Sequence, residues 1–339
     1  YRGAEASSAP EVRAYRDFVN SRVVRGRQQI TAALTWHTAG EFVLWPYAYT
    51  TTSLPRTMTS DDRLALVALG RGMASRNGYR AQQSGAWYIS DGDEIDWLYG
   101  KHRIFAFTVE MYPASGGSMR YYPAPSLIGP ETRRNRDAVL YLLEQADCGY
   151  RAAGLGATHC GPLNDDFEAS RGWTTNADGT DTANAGSWQR AVPRETKTSA
   201  GVKQTSSVTS GRMAFVTGAA AGSAPGSNDI DGGTTSVLSP RIALGAGQSW
   251  TLSFRYTFAH DSQSSPADFL RVRVVGSTTS TVFTVTGAAT ERNARWRAAT
   301  VSLSAFAGEK VRLLVEASDG DADSLVEAAV EDVRVYRTP

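Results

Sequence analysis

The chain has 339 residues, with 35 Lys and Arg against 34 Asp and Glu, for a formal charge of +1. That length is a prior for two domains, and the near-neutral balance excludes a broad polyanion-binding surface, so no nucleic-acid partner is expected. No stretch approaches the ~18–20 apolar residues that span a bilayer, and two cysteines exclude a disulfide-built scaffold or an all-cysteine metal cluster.

In chain order, the first half alternates helix and strand. Pro10 opens a helical pattern with Val12, Tyr15, Val19 and Val23 spaced for one face. Ile30 to Trp36 reads as a buried strand. Thr59 or Ser60 can cap the next helix, with Asp61 and Asp62 in its first turn and Leu64, Val67, Leu69 and Met73 as its inner face. Ile104 to Val109 is a second strand, rich in β-branched and aromatic residues. Pro130 starts a further helix carrying Val139, Leu142 and Leu143. Strands separated by helices predict a mostly parallel α/β sheet covered on both faces.

The pattern changes near residue 147. Cys148 and Cys160 enclose a Gly/Ala-rich loop. In a secreted protein their pairing would be worth about 3 kcal/mol by loop closure; the alternative is two unpaired residues in a linker. From Asn164 onward no helix is expected. Strand-like runs recur at 213–217, 250–258, 269–275, 281–285, 296–303, 311–316 and 326–336, separated by Gly, Asn, Asp and Ser. This predicts an all-β sandwich of jelly-roll type. The expected organisation is therefore a domain over 1–147, a linker over 148–163 that a disulfide could close, and a β-sandwich over 164–339. Only Lys101, Lys197, Lys203 and Lys310 are lysines, and Gly, Ser, Thr and Ala crowd the second half. Both features suit a secreted, extracellular module.

Four histidines narrow the chemistry: His37, His102, His159 and His260. His37 directly follows the first strand, where open α/β sheets place their sites. Glu110 closes the second strand beside Phe107 and Met111, so desolvation should fit it for general-base work. His102 is read as structural, and His159 beside Cys160 makes no zinc pattern. His260 is read as a surface group. Trp173, Trp188, Trp250 and Trp296 could stack on sugars but are more often core residues. Three stretches invite calcium: the turn 176–184, Asp229 with Asp231, and Glu331 with Asp332. Nucleophile-elbow, phosphate-loop and EF-hand motifs are absent from the sequence.

Over roughly residues 1–146 the motifs resemble those of secreted zinc carboxypeptidases of the funnelin type. That family has a histidine before an aliphatic-aromatic-Pro-Tyr run; His37 precedes Leu44-Trp45-Pro46-Tyr47. It has a mobile tyrosine eight residues before an Asp-Trp pair; Tyr88 stands eight before Asp96-Trp97. Its glutamate ends an F-T-x-E pattern; Phe107, Thr108 and Glu110 match, with Glu110 22 residues after Tyr88. The resemblance implies a mixed, doubly covered sheet of the zinc-carboxypeptidase type and hydrolysis of the C-terminal peptide bond of peptide or protein substrates. It further implies His37 as a ligand to one catalytic zinc, Glu110 as general base and Tyr88 as the group that grips the substrate carboxylate. Ile95 would line the pocket for the terminal side chain, with a preference for hydrophobic residues. Asp91, Asp93 and Glu94 are read as a solvated acidic turn.

The family's His-x-x-Glu pair has no counterpart in this sequence: the residues three after the histidines are Gly40, Phe105, Pro162 and Gln263. Asn135-Arg136 is read as solvated surface. The expectation is therefore the carboxyl-terminal half of a catalytic domain plus an appended sandwich, inactive without a missing N-terminal half. The competing reading is a secreted, non-catalytic binding or adhesion protein that works through its sandwich.

Overall fold

The computed structural model describes residues 3–24, 26–115, 121–220, 224–321 and 323–338. The chain divides into two units, Tyr1–Gly156 and Ala157–Pro339. Both cysteines are disulfide-bonded.

The first unit begins with α1 (Pro10–Ser21), followed by a hairpin of β1 (Val23–Val24) and β2 (Arg27–Gln28). Then come β3 (Ala32–Thr38), β4 (Phe42–Trp45), α2 (Ser60–Asn77), β5 (Arg80–Gln83), α3 (Glu94–His102) and β6 (Phe105–Met111). Two helices follow, α4 (Ile128–Arg134) and α5 (Arg136–Gln145). The four-stranded sheet runs β3-β6-β4-β5. β3 and β6 are parallel, as are β4 and β5, while β4 and β6 are antiparallel.

Strand position explains strand composition. β6 lies between β3 and β4, and its residues Phe105–Glu110 are all buried. β3 is an edge strand whose residues are at best half-buried. The expected buried strand is thus only half covered, because one of its sides has no neighbour among the described residues. The capping prediction for α2 holds: Thr59 accepts from Asp62 N, and Gly78, at φ 72°, ends the helix in the left-handed conformation that favours glycine. Its buried face is Ala65, Leu66, Leu69, Met73 and Ala74. Leu64, expected inside, is exposed, because the face that meets Val43, Trp45 and Phe107 is centred one residue further on. In α1 only Val19 is buried; Val12 and Tyr15 are exposed, and Val23 has already left the helix. The last predicted helix is two, joined at Asn135.

The second unit follows a short α6 (Gly156–His159) and is all β. Its strands are β7 (Leu163–Asp165), β8 (Thr174–Thr175), β9 (Trp188–Ala191), β10 (Thr196–Thr198), β11 (Gly201–Gln204) and β12 (Ala214–Thr217). They continue with β13 (Gly233–Leu238), β14 (Ile242–Ala243), β15 (Trp250–His260), β16 (Phe269–Val275) and β17 (Thr279–Thr286). The last are β18 (Arg297–Ser302), β19 (Lys310–Asp319) and β20 (Val326–Arg337). One antiparallel sheet runs β18-β15-β20-β12-β9, with β7 on β20. The other runs β17-β16-β19-β13-β8, with β14 on β19. β10 and β11 form a separate hairpin.

In β16 alternate residues Leu270, Val272 and Val274 are buried, the period-2 signature of a sheet with one packed face. They join Leu252, Phe254, Val315 and Val330 in one core. Trp188 and Trp250 are buried in it and Trp173 packs against it, so three of the four tryptophans are packing residues. Trp296 packs, half-buried, beside Val216. His260 is a correction: it is 0% exposed. β15 runs past Phe258, and Ala259 and His260 still pair with Glu327 and Val326 of β20.

Candidate functional site

Register in the first sheet decides which side chains meet. Because β3 and β6 are parallel, His37 pairs with Glu110 at their carboxyl ends. Across the other edge of β6, Phe42 of β4 also pairs with Glu110. Cross-strand partners share a face, so His37, Glu110 and Phe42 form one row. His37 Nδ1 stands 4.0 Å from Glu110 Oε1. The imidazole is 55% exposed and the Glu110 side chain 8%.

The turn between β3 and β4 is tightly specified. Gly40 N and Glu41 N both donate to Met111 O. A Cβ on Gly40 would lie 2.9 Å from the Phe42 ring and 3.3 Å from Glu110 Cβ, so a larger residue would push into the row. Glu41 is left-handed at φ 55° and is paired by Arg134 at 3.0 Å. Arg134 also donates to Asn77 O and stacks over Tyr79. Asn135 completes the support: it is 2% exposed, accepts from Asn77 and donates to the Tyr79 hydroxyl. Tyr79 in turn accepts from Tyr112 N, just beyond β6. The solvated reading therefore fails for Asn135, a buried polar hub, while Arg136 is exposed and pairs with its neighbour Asp137.

Tyr88 reaches the row through an aromatic line. The Phe42 and Trp87 rings are 5.1 Å apart and the Trp87 and Tyr88 rings 4.9 Å. The Tyr88 phenol is pushed up by partial burial and then by the Glu110 carboxylate, which puts it in the electrostatic field of that group. Its side chain is otherwise exposed. Gln83 holds the adjoining loop by donating to Tyr47 O and Thr50 O.

Asp96 was legible only as half of a motif; its work is structural. It accepts from Ala48 N at 2.8 Å and Tyr49 N at 3.2 Å, tying α3 to the turn after β4. Burial raises its carboxyl to about 6, against the pull of those N–H groups. Ile95 is not brought to the row. It is 1% exposed and packs with Val19, Leu98, Ile104 and Ala106. Asp93 caps α3 by accepting from Ile95 N, and Glu94 accepts from the Tyr15 hydroxyl, so acids of the expected solvated turn have protein partners. His102 packs edge-on against Trp97, and His159 is buried with Nδ1 on the Thr158 hydroxyl.

The donor types suit zinc, which takes imidazole nitrogen and carboxylate oxygen. A catalytic zinc uses about three protein ligands. Among the described residues no three-ligand group includes His37; the group that does converge is Asp231, Asp319 and Asp323 in the second unit. The row thus brings together one imidazole and one buried carboxylate. Nothing in the sequence pattern singled out Asp319 or Asp323, although Asp319, Asp321 and Asp323 alternate through one loop.

Residues 1–138 match the family of zinc carboxypeptidases, peptidase M14. A zinc carboxypeptidase of Saccharothrix mutabilis subsp. capreolus is 46% identical over 137 residues, 40% of this chain and 31% of that protein. Human carboxypeptidase A6 is 31% identical over 113 residues, 33% of this chain and 25% of it. The chain thus spans less than a third of these relatives' length. Among solved structures, the K3 cleaved adhesin domain of Lys-gingipain from Porphyromonas gingivalis is 18% identical, with 52% of this chain and 96% of that chain covered at a TM-score of 0.33. In the described residues no helix is long and apolar enough to cross a membrane.

Proposed function

We propose that residues 1–138, which match the zinc carboxypeptidase family, carry the general base, one metal ligand and the substrate clamp of a metallocarboxypeptidase that removes C-terminal residues from peptides and proteins. One observation supports this above others: His37 and Glu110 face each other at 4.0 Å across adjacent parallel strands, inside the family-matched stretch. Zinc, when bound, polarises a carbonyl and acidifies water. His37 would be one of its protein ligands, and further ligands would come from outside the described residues.

The chain's own residues do the rest. Glu110 is buried on three sides by the row and the Gly40 turn, so it is held in place without a loss of rotamer freedom at each turnover. Its Oε1 takes the proton of the attacking water and returns it to the leaving amine. Tyr88, exposed and tethered through Trp87, is free to close over the substrate and donate its hydroxyl proton to the terminal carboxylate. Ile95 is packed in the core and does not reach the row, so the preference for apolar terminal side chains rests on the family resemblance alone. An extracellular location accompanies this function and is supported by the disulfide-bonded cysteines.

The test is release of C-terminal residues by the full-length protein. Phe and Leu should leave faster than Lys and Arg; faster release of Lys would end the specificity assignment. The 339-residue chain alone should release neither and retain less than one zinc per chain after dialysis. One tightly held zinc would contradict the single-ligand assignment.

A further inference from the structure

The three acidic stretches of the second unit differ in how their oxygens are used. In the turn 176–184, Asp178 accepts from Thr180 N and its hydroxyl, Asn176 from Asp181 N, and Asp181 from Ser236 N. Glu331 accepts from the backbone N–H groups and hydroxyls of Thr209 and Ser210, and Asp332 from the same hydroxyls. Both of these stretches are spent on the protein itself.

The third is not. Asp231 before β13, Asp319 at the end of β19 and Asp323 in the loop to β20 each offer a carboxylate oxygen, all within 4.8 Å of one another. The ladder makes this convergence: Gly233 pairs with Asp319, and Ile230 N donates to Val326 O. Asp319 is 0% exposed; one oxygen accepts from the Ser324 hydroxyl, and Oδ2 has no hydrogen-bond partner. Asp229, two residues before Asp231, is also buried, with Oδ2 on Val326 N and Oδ1 unpartnered. Both oxygens of buried Glu327 lack a partner as well; the nearby Thr217 hydroxyl gives its proton to Ala328 O. No Lys, Arg or His forms an ion pair with any of these five acids among the described residues.

Buried carboxylate oxygens without donors are costly, and neighbouring carboxylates repel. Converging them without a cationic side chain concentrates negative charge that a bound cation would neutralise. We propose that Asp231, Asp319 and Asp323, with Asp229 beside them, bind one calcium ion in the second unit. The donors are all hard oxygens, with no imidazole or thiolate, which disfavours zinc and copper. They come from two separate segments, one of them running into an exposed loop, which suits the flexible six- to eight-oxygen shell of calcium better than the strict octahedron of magnesium.

The test uses the full 339-residue chain, stripped of metal by chelating resin, titrated with CaCl2 by calorimetry and thermal unfolding. One calcium per chain is expected, with a raised Tm that EDTA reverses. Asp319→Asn and Asp323→Asn should each weaken binding at least tenfold, while Asp178→Asn leaves it unchanged. Asp323 is exposed, so its variant remains informative if Asp319→Asn fails to fold. Absence of binding by the folded wild type up to about 10 mM, beyond the weak end of extracellular calcium modules, would overturn the proposal. So would binding that neither variant weakens, or magnesium binding as tight as calcium.

Discussion

The two units handle buried carboxylates in opposite ways. In the first, Glu110 sits in the middle of a sheet, with His37 on one side and Phe42 on the other, and the positions follow from strand register. In the second, Asp229, Asp231, Asp319 and Asp323 meet where loops and strand ends converge, without a cation among the described residues. The first arrangement places one carboxylate beside one imidazole. The second gathers three carboxylate oxygens within 4.8 Å of one another. A carboxylate that a ladder holds singly is suited to moving protons; a group of carboxylates drawn together by loops is suited to holding a cation.

This contrast can be broken most directly at Glu110. Glu110→Gln should lower kcat/KM of the full-length protein by about 10²–10⁴-fold, the usual loss for a general base, with substrate KM little changed. Near-wild-type turnover would remove Glu110 from the chemistry and leave the first unit without a functional carboxylate. The independence of the two units is sharpened by core truncations. Phe107→Ala should cost about 3–5 kcal/mol and Leu252→Ala about 2–5 kcal/mol, since both residues are fully buried. Calorimetry of the chain should show each variant lowering a different unfolding transition, and calcium should raise only the one that Leu252→Ala lowers.

Smaller effects test the supports of the row. Thr59→Ala removes the cap of α2 and should cost about 0.5–2 kcal/mol, read by urea unfolding. Asp96 gives a pH signature. Its folded-state value, about 6, lies above the ordinary aspartate value of 3.8, so the folded chain holds a proton that the unfolded chain has already released between those limits. Its contribution to stability is therefore greatest below pH 4 and is lost as pH rises through about 6. The stability of wild type relative to Asp96→Asn should fall across that window and level off above it; a flat difference would mean that Asp96 is ionised in the fold throughout.

Most of the architecture was legible in residue patterns. The seven strand runs predicted after residue 164 correspond to β12 and to β15 through β20, because period-2 alternation and turn residues are local properties. The short strands β4 and β5 are not legible in the sequence, since four-residue runs such as Phe42–Trp45 carry no period. Leu64 lies on the exposed side of α2 although its spacing places it inside, because a helix face is set by what packs on it. Asn135 and His260 were misjudged for the same reason: polar residues read as solvated unless partners are known, and theirs lie far away in sequence, at Tyr79 and in β20.

Sequence alone determined the two-part organisation, the α/β character of the first part, the all-β character of the second and the order His37, Tyr88, Glu110. These depend on periodicity, composition and spacing, which survive in one dimension. Tertiary structure alone decided that His37 and Glu110 are 4.0 Å apart, that Ile95 is a core residue and that Asp96 anchors the turn after β4. It also decided that Asp319 and Asp323 join Asp231, more than 80 residues away in the chain. Register and loop convergence arise from long-range pairing, and the cost of a buried charge depends on which groups surround it, which no local pattern of residues records.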